Sequence, residues 1–398
     1  MKRILFIIFP LLSLFSCGNN NDIVIDEELL DADKTILMYL PWTGQTTLNS
    51  KGQPTNAGLY SAFNENIRGI EKSIETFGSS QKTRTFVLIA DKPSSVYLYE
   101  IIFEKGKCTR DTLEHYVNMP TNGKSLTEYI RKVKRLSPTP LFSMIMGAHG
   151  SGWLPKNKAR HKTRSIGGIT TAFQFDIAEI AKAITDNGIK LQFLCFDDCY
   201  MANIEVAYEL RNATNYLIAS TSEIINSGIP YEKVYRYMAS QQPDYKSITS
   251  GFLEFYSGTN PYPYGSLSVM DCNYMNEIVD LMKKFNNSGV AAPNYKEVSP
   301  QDPYEPNRHI YYDFGDYLRK YNNHIREQGM DSIKYADIIS KFIPCKVKTK
   351  ELFTMYYDPY FGNPYTVDSY SGTTISDPSI SPDVIANKLN TGWWKATH

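Results

Sequence analysis

The sequence has no excess of charge of either sign. Its 42 basic residues equal its 42 acidic residues, and no long block of one sign interrupts the chain. Nucleic-acid binding and polybasic membrane binding depend on such an excess, so composition gives no support for either function. No internal repeat is visible, so a repeat architecture is not predicted either.

Long apolar runs are also lacking, apart from Ile4–Leu14, which is too short for a transmembrane helix. Two basic residues precede it and small residues follow, which is the order of an export signal. Residues 14–17 are similar to the lipobox of bacterial lipoproteins, although an ordinary secretory signal with a coincidental cysteine is the alternative. We expect residues 1–17 to be a lipoprotein signal peptide with Cys17 as the lipidation site. Residues 18–33 would be a polar tether that anchors an exported lipoprotein in the cell envelope, at the outer membrane or cell surface.

Cysteine is scarce, with six residues in 398. If Cys17 carries the lipid, an odd number remains in a protein whose export implies an oxidising compartment. At least one thiol is then unpaired or bonded between chains, which favours a free reactive thiol over a full disulfide framework. No pair has the spacing of a zinc site, and Cys195 and Cys199 at a strand end would be a poor metal clip.

Strands alternate with helices between residues 34 and 271, which predicts a three-layer α/β/α sandwich with a largely parallel sheet. The predicted strands are Thr35–Leu40, Thr85–Ala90, Val96–Phe103, Leu141–Met146, Leu191–Phe196 and Tyr216–Ala219, and the predicted helices are Leu59–Phe77, Leu126–Leu136 and Ile177–Ile184. The alternation weakens beyond Asp271, so residues 272–398 are predicted to form a smaller C-terminal α/β appendage packed on the main domain. Its many tyrosines are expected to fill a domain interface rather than to form a glycan surface.

Two of the predicted strands end in residues that can carry chemistry. Leu191–Phe196 leads to Cys199 and then to a helical period, and Leu141–Met146 leads to His149 among glycines. A thiol at the carboxyl end of a parallel strand, beside the start of a helix, is well placed to react. The separation, 199 − 149 = 50 residues, is close to the spacing of about 50 between histidine and cysteine in caspases. The two strand ends could therefore converge, although either residue alone is more often structural.

Three segments resemble the clostripain family of cysteine peptidases, within the caspase-like clan. They are the opening strand Thr35–Thr43, the histidine segment Gly147–Trp153 and the cysteine segment Asp197–Leu210. The resemblance covers most of the main domain and extends more faintly to Asp313–Leu318 and Ser371–Ile375. It implies a caspase-like fold, a cysteine endopeptidase, and a lipoprotein from a Gram-negative-type bacterium.

The resemblance assigns chemical roles to the two strand ends. Cys199 would be the nucleophile that forms an acyl-enzyme, and His149 would donate a proton to the leaving amine. The oxyanion would be stabilised by the backbone N–H groups of Gly150 and Cys199. Asp197 matches the family position associated with the S1 pocket, where one partly desolvated carboxylate selects Arg or Lys. Its alternative is a hydrogen-bonded residue at the end of a strand.

Further positions fit the resemblance less closely. Ser220 and Thr221 follow a strand and are similar to the family's substrate-binding wall, but ordinary loop chemistry is equally open. Asp198 replaces the small residue that usually precedes the cysteine in this clan. Because a neighbouring negative charge disfavours a thiolate, Asp198 must point away, be paired, or weaken the enzyme. Glu205, on the following helix, is expected to be structural.

Residues 156–165 form a basic loop between the histidine and the cysteine. A solvated loop explains it, but clostripain-like enzymes are often zymogens cut in this interval, so we expect self-cleavage after Lys162 or Arg164. No cofactor is expected, and calcium stays open because no EF-hand-like oxygen cluster is visible. The expected partners are protein or peptide substrates with Arg or Lys at P1, and a membrane through the lipid anchor. The rival hypothesis is a non-catalytic surface lipoprotein of the same fold that binds a protein or glycan.

Overall fold

A computed structural model describes most of the chain. The described residues are 32–78, 82–156, 166–258, 260–355 and 362–398. The predicted signal peptide with Cys17, the polar tether up to residue 31, and the predicted cleavage positions Lys162 and Arg164 lie outside these ranges. None of the described helices is both long enough and apolar enough to cross a membrane.

Strands and helices alternate through the first two thirds of the chain. The strands of the described ranges are β1 Lys34–Leu40, β2 Thr83–Lys92, β3 Ser95–Glu104, β4 Lys107–Val117, β5 Leu141–Gly147, β6 Ile166–Gly167, β7 Gln174–Phe175, β8 Leu191–Asp197, β9 Thr214–Ala219, β10 Ser266–Asp271, β11 Tyr312–Asp313, β12 Cys345–Lys348, β13 Leu352–Thr354, β14 Asn363–Tyr365 and β15 Thr374–Ile375. The α-helices are α1 Tyr60–Phe77, α2 Gly123–Leu136, α3 Ile177–Thr185, α4 Ile204–Leu210, α5 Tyr231–Ala239, α6 Tyr245–Ser257, α7 Met275–Asn286, α8 Phe314–Glu327, α9 Ala336–Phe342, α10 Pro382–Ile385 and α11 Gly392–Thr397.

A nine-stranded sheet of order β12-β10-β9-β8-β5-β1-β2-β3-β4 forms the centre of the described structure. The five strands from β9 to β2 are parallel to one another, and antiparallel strands extend both edges. Helices α1, α5 and α6 pack on one face, while α2, α3, α4, α7 and α8 pack on the other. The predicted three-layer α/β/α sandwich is confirmed.

The central strands are nearly continuous apolar runs because helices cover both of their faces. All seven residues of β1 are buried, and both its odd and its even positions meet a core. The edge strand β4 is different, since most of its residues are polar and at least partly exposed. The sequence therefore predicted the centre of the sheet but not β4.

Residues after 271 contribute to the main sheet as well as packing on it. Strand β12 pairs antiparallel with β10 at the sheet edge. Further along the chain, the backbone N–H of Thr374 donates to the carbonyl of Ala202 at 3.0 Å, just after the cysteine segment. The division at residue 271 stays a prediction, and any C-terminal appendage shares the sheet with the main domain.

Candidate active site

The strands β5 and β8 bring the predicted catalytic pair together at the carboxyl ends of the central strands. They are adjacent and parallel, and their last paired residues are Gly147 and Asp197. His149 and Cys199 each follow two residues later, so both lie just beyond the carboxyl ends of their strands. Both side chains line one cavity of about 340 Å³, together with Gly150 and Asp197. The cavity lies at the carboxyl ends of the parallel strands, where open α/β sheets bind their ligands.

The histidine segment is fixed by its backbone. His149 exchanges two hydrogen bonds with Gly167, at 3.1 Å and 2.9 Å, so the short strand β6 holds its backbone. The next residue, Gly150, touches the cysteine segment directly. A Cβ atom at Gly150 would lie 2.4 Å from the carbonyl oxygen of Cys199 and 2.9 Å from its amide nitrogen. Only glycine allows this approach, which brings the two backbone N–H groups assigned to the oxyanion hole close together.

The Cys199 thiol contacts the backbone of the neighbouring loop. Its Sγ accepts a hydrogen bond from the N–H of Ile224 at 3.4 Å and donates one to the carbonyl oxygen of Ile224 at 3.8 Å. Burial, followed by the charge of Glu223, raises the pKa of the Cys199 thiol. Burial lowers the pKa of His149. Both shifts favour a neutral thiol and a neutral imidazole over an ion pair.

Asp198 joins the two strand ends instead of facing the thiol as a free charge. Its side chain is 1 % exposed, and its Oδ1 accepts a hydrogen bond from the backbone N–H of Ala148. Its other oxygen has no hydrogen-bond partner among the described residues. Burial raises the pKa of Asp198 well above its usual value, which favours the uncharged acid. One carboxyl oxygen of Asp198 is thus paired with the other strand end, and the raised pKa reduces the negative charge that the group places beside Cys199.

Asp197 is held by neutral donors only. Its two carboxylate oxygens accept from the N–H of Ile229 at 3.0 Å and 3.1 Å, and Oδ2 also accepts from the hydroxyl of Tyr231 at 3.0 Å. No described lysine, arginine or histidine forms an ion pair with it. Burial raises the pKa of Asp197 to about 6, while these donors stabilise its charged form. At neutral pH the cleft therefore contains a carboxylate that lacks a positive partner.

The loop after β9 lines the cleft, but not at the predicted positions. The Oγ atoms of Ser220 and Ser266 share a hydrogen bond of 2.9 Å, and the N–H of Thr221 donates to Ser266 Oγ at 3.2 Å. Both predicted residues are buried and absent from the lining of the cleft, which residues 223–226 form instead. A substrate-binding role for Ser220 and Thr221 stays a prediction without a direct contact to the cavity.

The sequence did not predict the far wall of the cleft. This wall comes from the C-terminal part of the chain, where Tyr304, Tyr311 and Met355 line the cavity. The ring of Tyr311 stacks on that of Tyr200, the residue after Cys199, with centroids 5.1 Å apart. No spacing rule links such distant residues, and the only signal was the number of tyrosines in this region.

Candidate metal ligands do not cluster in the described part of the chain. No group of three or more histidine, cysteine, aspartate or glutamate side chains there could hold a metal ion. A calcium requirement stays open.

Comparison with known proteins agrees with this geometry. The model of the clostripain family of peptidases matches residues 61–362 of the chain. A secreted C11 cysteine protease from Bacteroides thetaiotaomicron, named iotapain, is 31% identical, with a TM-score of 0.79 over 92% of this chain and 99% of that one. An inactive zymogen C11 protease from Parabacteroides distasonis is 24% identical, with a TM-score of 0.73 over the same shares.

A clostripain from Bacteroides thetaiotaomicron, solved with a peptide inhibitor, is 33% identical and has a TM-score of 0.51 over 58% of this chain and 99% of that one. No curated protein matches the chain. The family match covers far more than half of the sequence and includes both strand-end segments. The chain therefore belongs to the clostripain family and is a cysteine-type peptidase.

Proposed function

We propose that this cysteine peptidase is an endopeptidase that cleaves after Arg or Lys, with Cys199 as nucleophile and His149 as acid and base. The observation that carries the proposal is the single cavity lined by Cys199, His149 and Asp197. The rival hypothesis, a non-catalytic binding lipoprotein, has no observation in its favour.

The reaction follows from the groups that line the cleft. His149 accepts the proton of the Cys199 thiol, and the sulfur attacks the scissile carbonyl carbon to form a tetrahedral intermediate. The N–H groups of Gly150 and Cys199 stabilise its oxyanion. His149 then protonates the leaving amine as the C–N bond breaks, which leaves a thioester. Water attacks the thioester with His149 as base, releasing the carboxylic acid product and the thiol.

Asp197 supplies the preference for a basic residue at P1. Its carboxylate is partly desolvated and bound only by the N–H of Ile229 and the hydroxyl of Tyr231. A guanidinium or ammonium group that enters the cleft can form a charge-assisted hydrogen bond with it, stronger than those of the neutral donors. An uncharged P1 side chain would leave this carboxylate without a positive partner.

Self-cleavage within residues 156–165, after Lys162 or Arg164, would activate the enzyme. The described chain on each side of this loop supports the idea. The segment begins a few residues after His149 and is followed by β6, whose Gly167 pairs with His149. A cut there would fall between His149 and β6 in the chain and would break no described strand of the central sheet.

Export as a lipoprotein completes the proposal. The lipobox-like residues before Cys17 support lipidation, and a similar protease is described as secreted. Mass spectrometry of the mature N-terminus tests this directly. A diacylglyceryl group on Cys17 is expected, and an unmodified N-terminus at another residue would contradict it.

Fluorogenic peptides that differ only at P1 test the proposed activity. Wild type is expected to cleave the Arg and Lys peptides at least about 100-fold faster than the Gln and Leu peptides, because a buried ion pair replaces a neutral contact. Cys199→Ala should show no turnover, and Asp197→Asn should lose the preference. Equal rates for all four peptides would rule out the proposed specificity.

The same proteins test self-processing on a denaturing gel. Wild type should be cut into two fragments whose boundary lies at residues 162–164, whereas Cys199→Ala should remain a single chain. If wild type also stays intact, the self-processing hypothesis fails.

A further inference from the structure

Glu223 lines the cleft and binds a segment from the distant C-terminal part of the chain. Its Oε1 accepts hydrogen bonds from the hydroxyl of Thr354 at 2.5 Å and from the hydroxyl of Tyr200 at 3.3 Å. Its Oε2 accepts from the backbone N–H of Met355 at 3.0 Å, and Met355 itself lines the cleft. No described basic side chain forms an ion pair with Glu223, so neutral donors alone hold this carboxylate.

Glu223 also lies next to the nucleophile. The residue after it, Ile224, contacts the Cys199 sulfur through its backbone. Tyr200, which follows Cys199, has a left-handed backbone with φ of 57° and donates its N–H to the carbonyl of Ser222 at 3.0 Å. A non-glycine residue keeps this conformation only where its surroundings fix it. Glu223 therefore connects Tyr200, the residue after the nucleophile, to the end of β13 in the wall of the cleft.

We propose that Glu223 is a positioning residue for the peptidase reaction and that its bonds to Thr354 and Met355 form an autoinhibitory contact. The contact holds the end of β13 in the cleft beside the Cys199 thiol, and it opens before the enzyme reacts. The inference rests on the proposed role of Cys199 as nucleophile.

The charges around the thiol agree with this role. The ionisable groups near Cys199 are Asp197, Asp198, Glu223 and the imidazole of His149. After burial, Glu223 is the largest cause of the raised pKa of the thiol. A negative charge disfavours a thiolate, so removing the charge of Glu223 should lower the pKa of Cys199.

The groups around Glu223 itself offer no compensating charge. Tyr200, Thr354 and Met355 donate to it, and Tyr365 faces it from β14. All four are neutral. Burial raises the pKa of Glu223, whereas the bonds from Thr354, Met355 and Tyr200 lower it and so favour the charged carboxylate in the position where it suppresses the thiol.

The rate at which iodoacetamide alkylates Cys199 tests the proposal. It is measured between pH 6 and pH 11, so that the range extends well above the pKa of an ordinary thiol, by peptide mapping of the full-length chain with all of its cysteines in place. Glu223→Gln is expected to move the pH midpoint of alkylation down by about one unit, which is about tenfold faster reaction at any pH below the midpoint. Thr354→Val, which removes one of the donors that hold the carboxylate, should lower the midpoint in the same direction but by a smaller amount.

Glu232→Gln is the matched control, because Glu232 is an exposed glutamate on α5 that pairs with Lys72. It should react at the wild-type rate across the whole pH range. Wild-type behaviour of both Glu223→Gln and Thr354→Val would overturn the proposal. So would a Glu223→Gln protein that reacts faster at every pH with an unmoved midpoint, since a purely structural brace would give that result.

The readout separates this inference from the proposed function. Alkylation is measured at Cys199 itself and needs no substrate. A protein that fails to cleave Arg or Lys peptides would disprove the proposed activity, while the alkylation profiles would still decide the role of Glu223.

Discussion

Asp198 is the residue that fitted the family pattern least, and its burial makes a sharp prediction. Asp198→Ala removes the acceptor for the buried N–H of Ala148, so the free energy of unfolding should fall by about 1–3 kcal/mol. Asp198→Asn keeps an oxygen in the same place and should change the stability by less than about 1 kcal/mol at pH 5.

The pH dependence of the same variants tests whether Asp198 is uncharged. Because the pKa of Asp198 is raised in the folded state, its contribution to stability is present below the unfolded pKa and is lost as the pH rises. Wild type should therefore lose stability relative to Asp198→Asn between pH 5 and pH 8, by at most about 1.4 kcal/mol per pH unit. Urea unfolding at several pH values measures this difference. A constant difference across the range would refute the assignment of a neutral acid.

Three further predictions concern the other buried carboxylates. The first compares kcat/KM for a P1 Arg peptide with kcat/KM for its neutral citrulline analogue. This ratio should fall as the pH drops through about 6, because Asp197 loses its charge there. Asp197→Asn should abolish the pH dependence. Gly228→Ala should lower the same ratio at pH 8, since its Cβ would lie 2.6 Å from Asp197 Oδ2 at a φ of 63°; an unchanged ratio would show that the carboxylate is free to move. Burial, and then the charge of Asp377, raises the pKa of Glu205 to about 8, so the stability that Glu205 contributes is lost as the pH rises towards that value. Urea unfolding between pH 5 and pH 9 should therefore show a smaller loss of stability in Glu205→Gln than in wild type. Identical pH profiles for the two proteins would contradict the raised pKa.

The sequence predicted the centre of the sheet because burial on both faces leaves a simple pattern. Strands β1, β5 and β8 are nearly continuous apolar runs, and each was predicted nearly to its ends. Strand β4 was missed because this edge strand is mostly polar, so its sequence resembles that of a loop. Strand β12 lies at the opposite edge, and its pairing with β10 across more than seventy residues of chain has no local signal.

The candidate site divides in the same way. His149 and Cys199 were predicted because the carboxyl ends of neighbouring parallel strands lie side by side. Tyr311, Met355 and the contacts of Glu223 were not predicted, since they depend on the path of the chain after the last parallel strand. The pairing of Asp198 with Ala148 was equally hidden, because a sequence does not show which backbone group a buried carboxyl will meet.

An irreversible peptide inhibitor with Arg at P1 tests the roles of Cys199 and Asp197 in one experiment. The protein is treated with a small excess of the inhibitor, and the modified residue is mapped by mass spectrometry. An adduct on Cys199 alone is expected, with labelling strongly reduced in Asp197→Asn. An adduct on another of the cysteines, or turnover of Arg peptides that persists in Cys199→Ala, would contradict it.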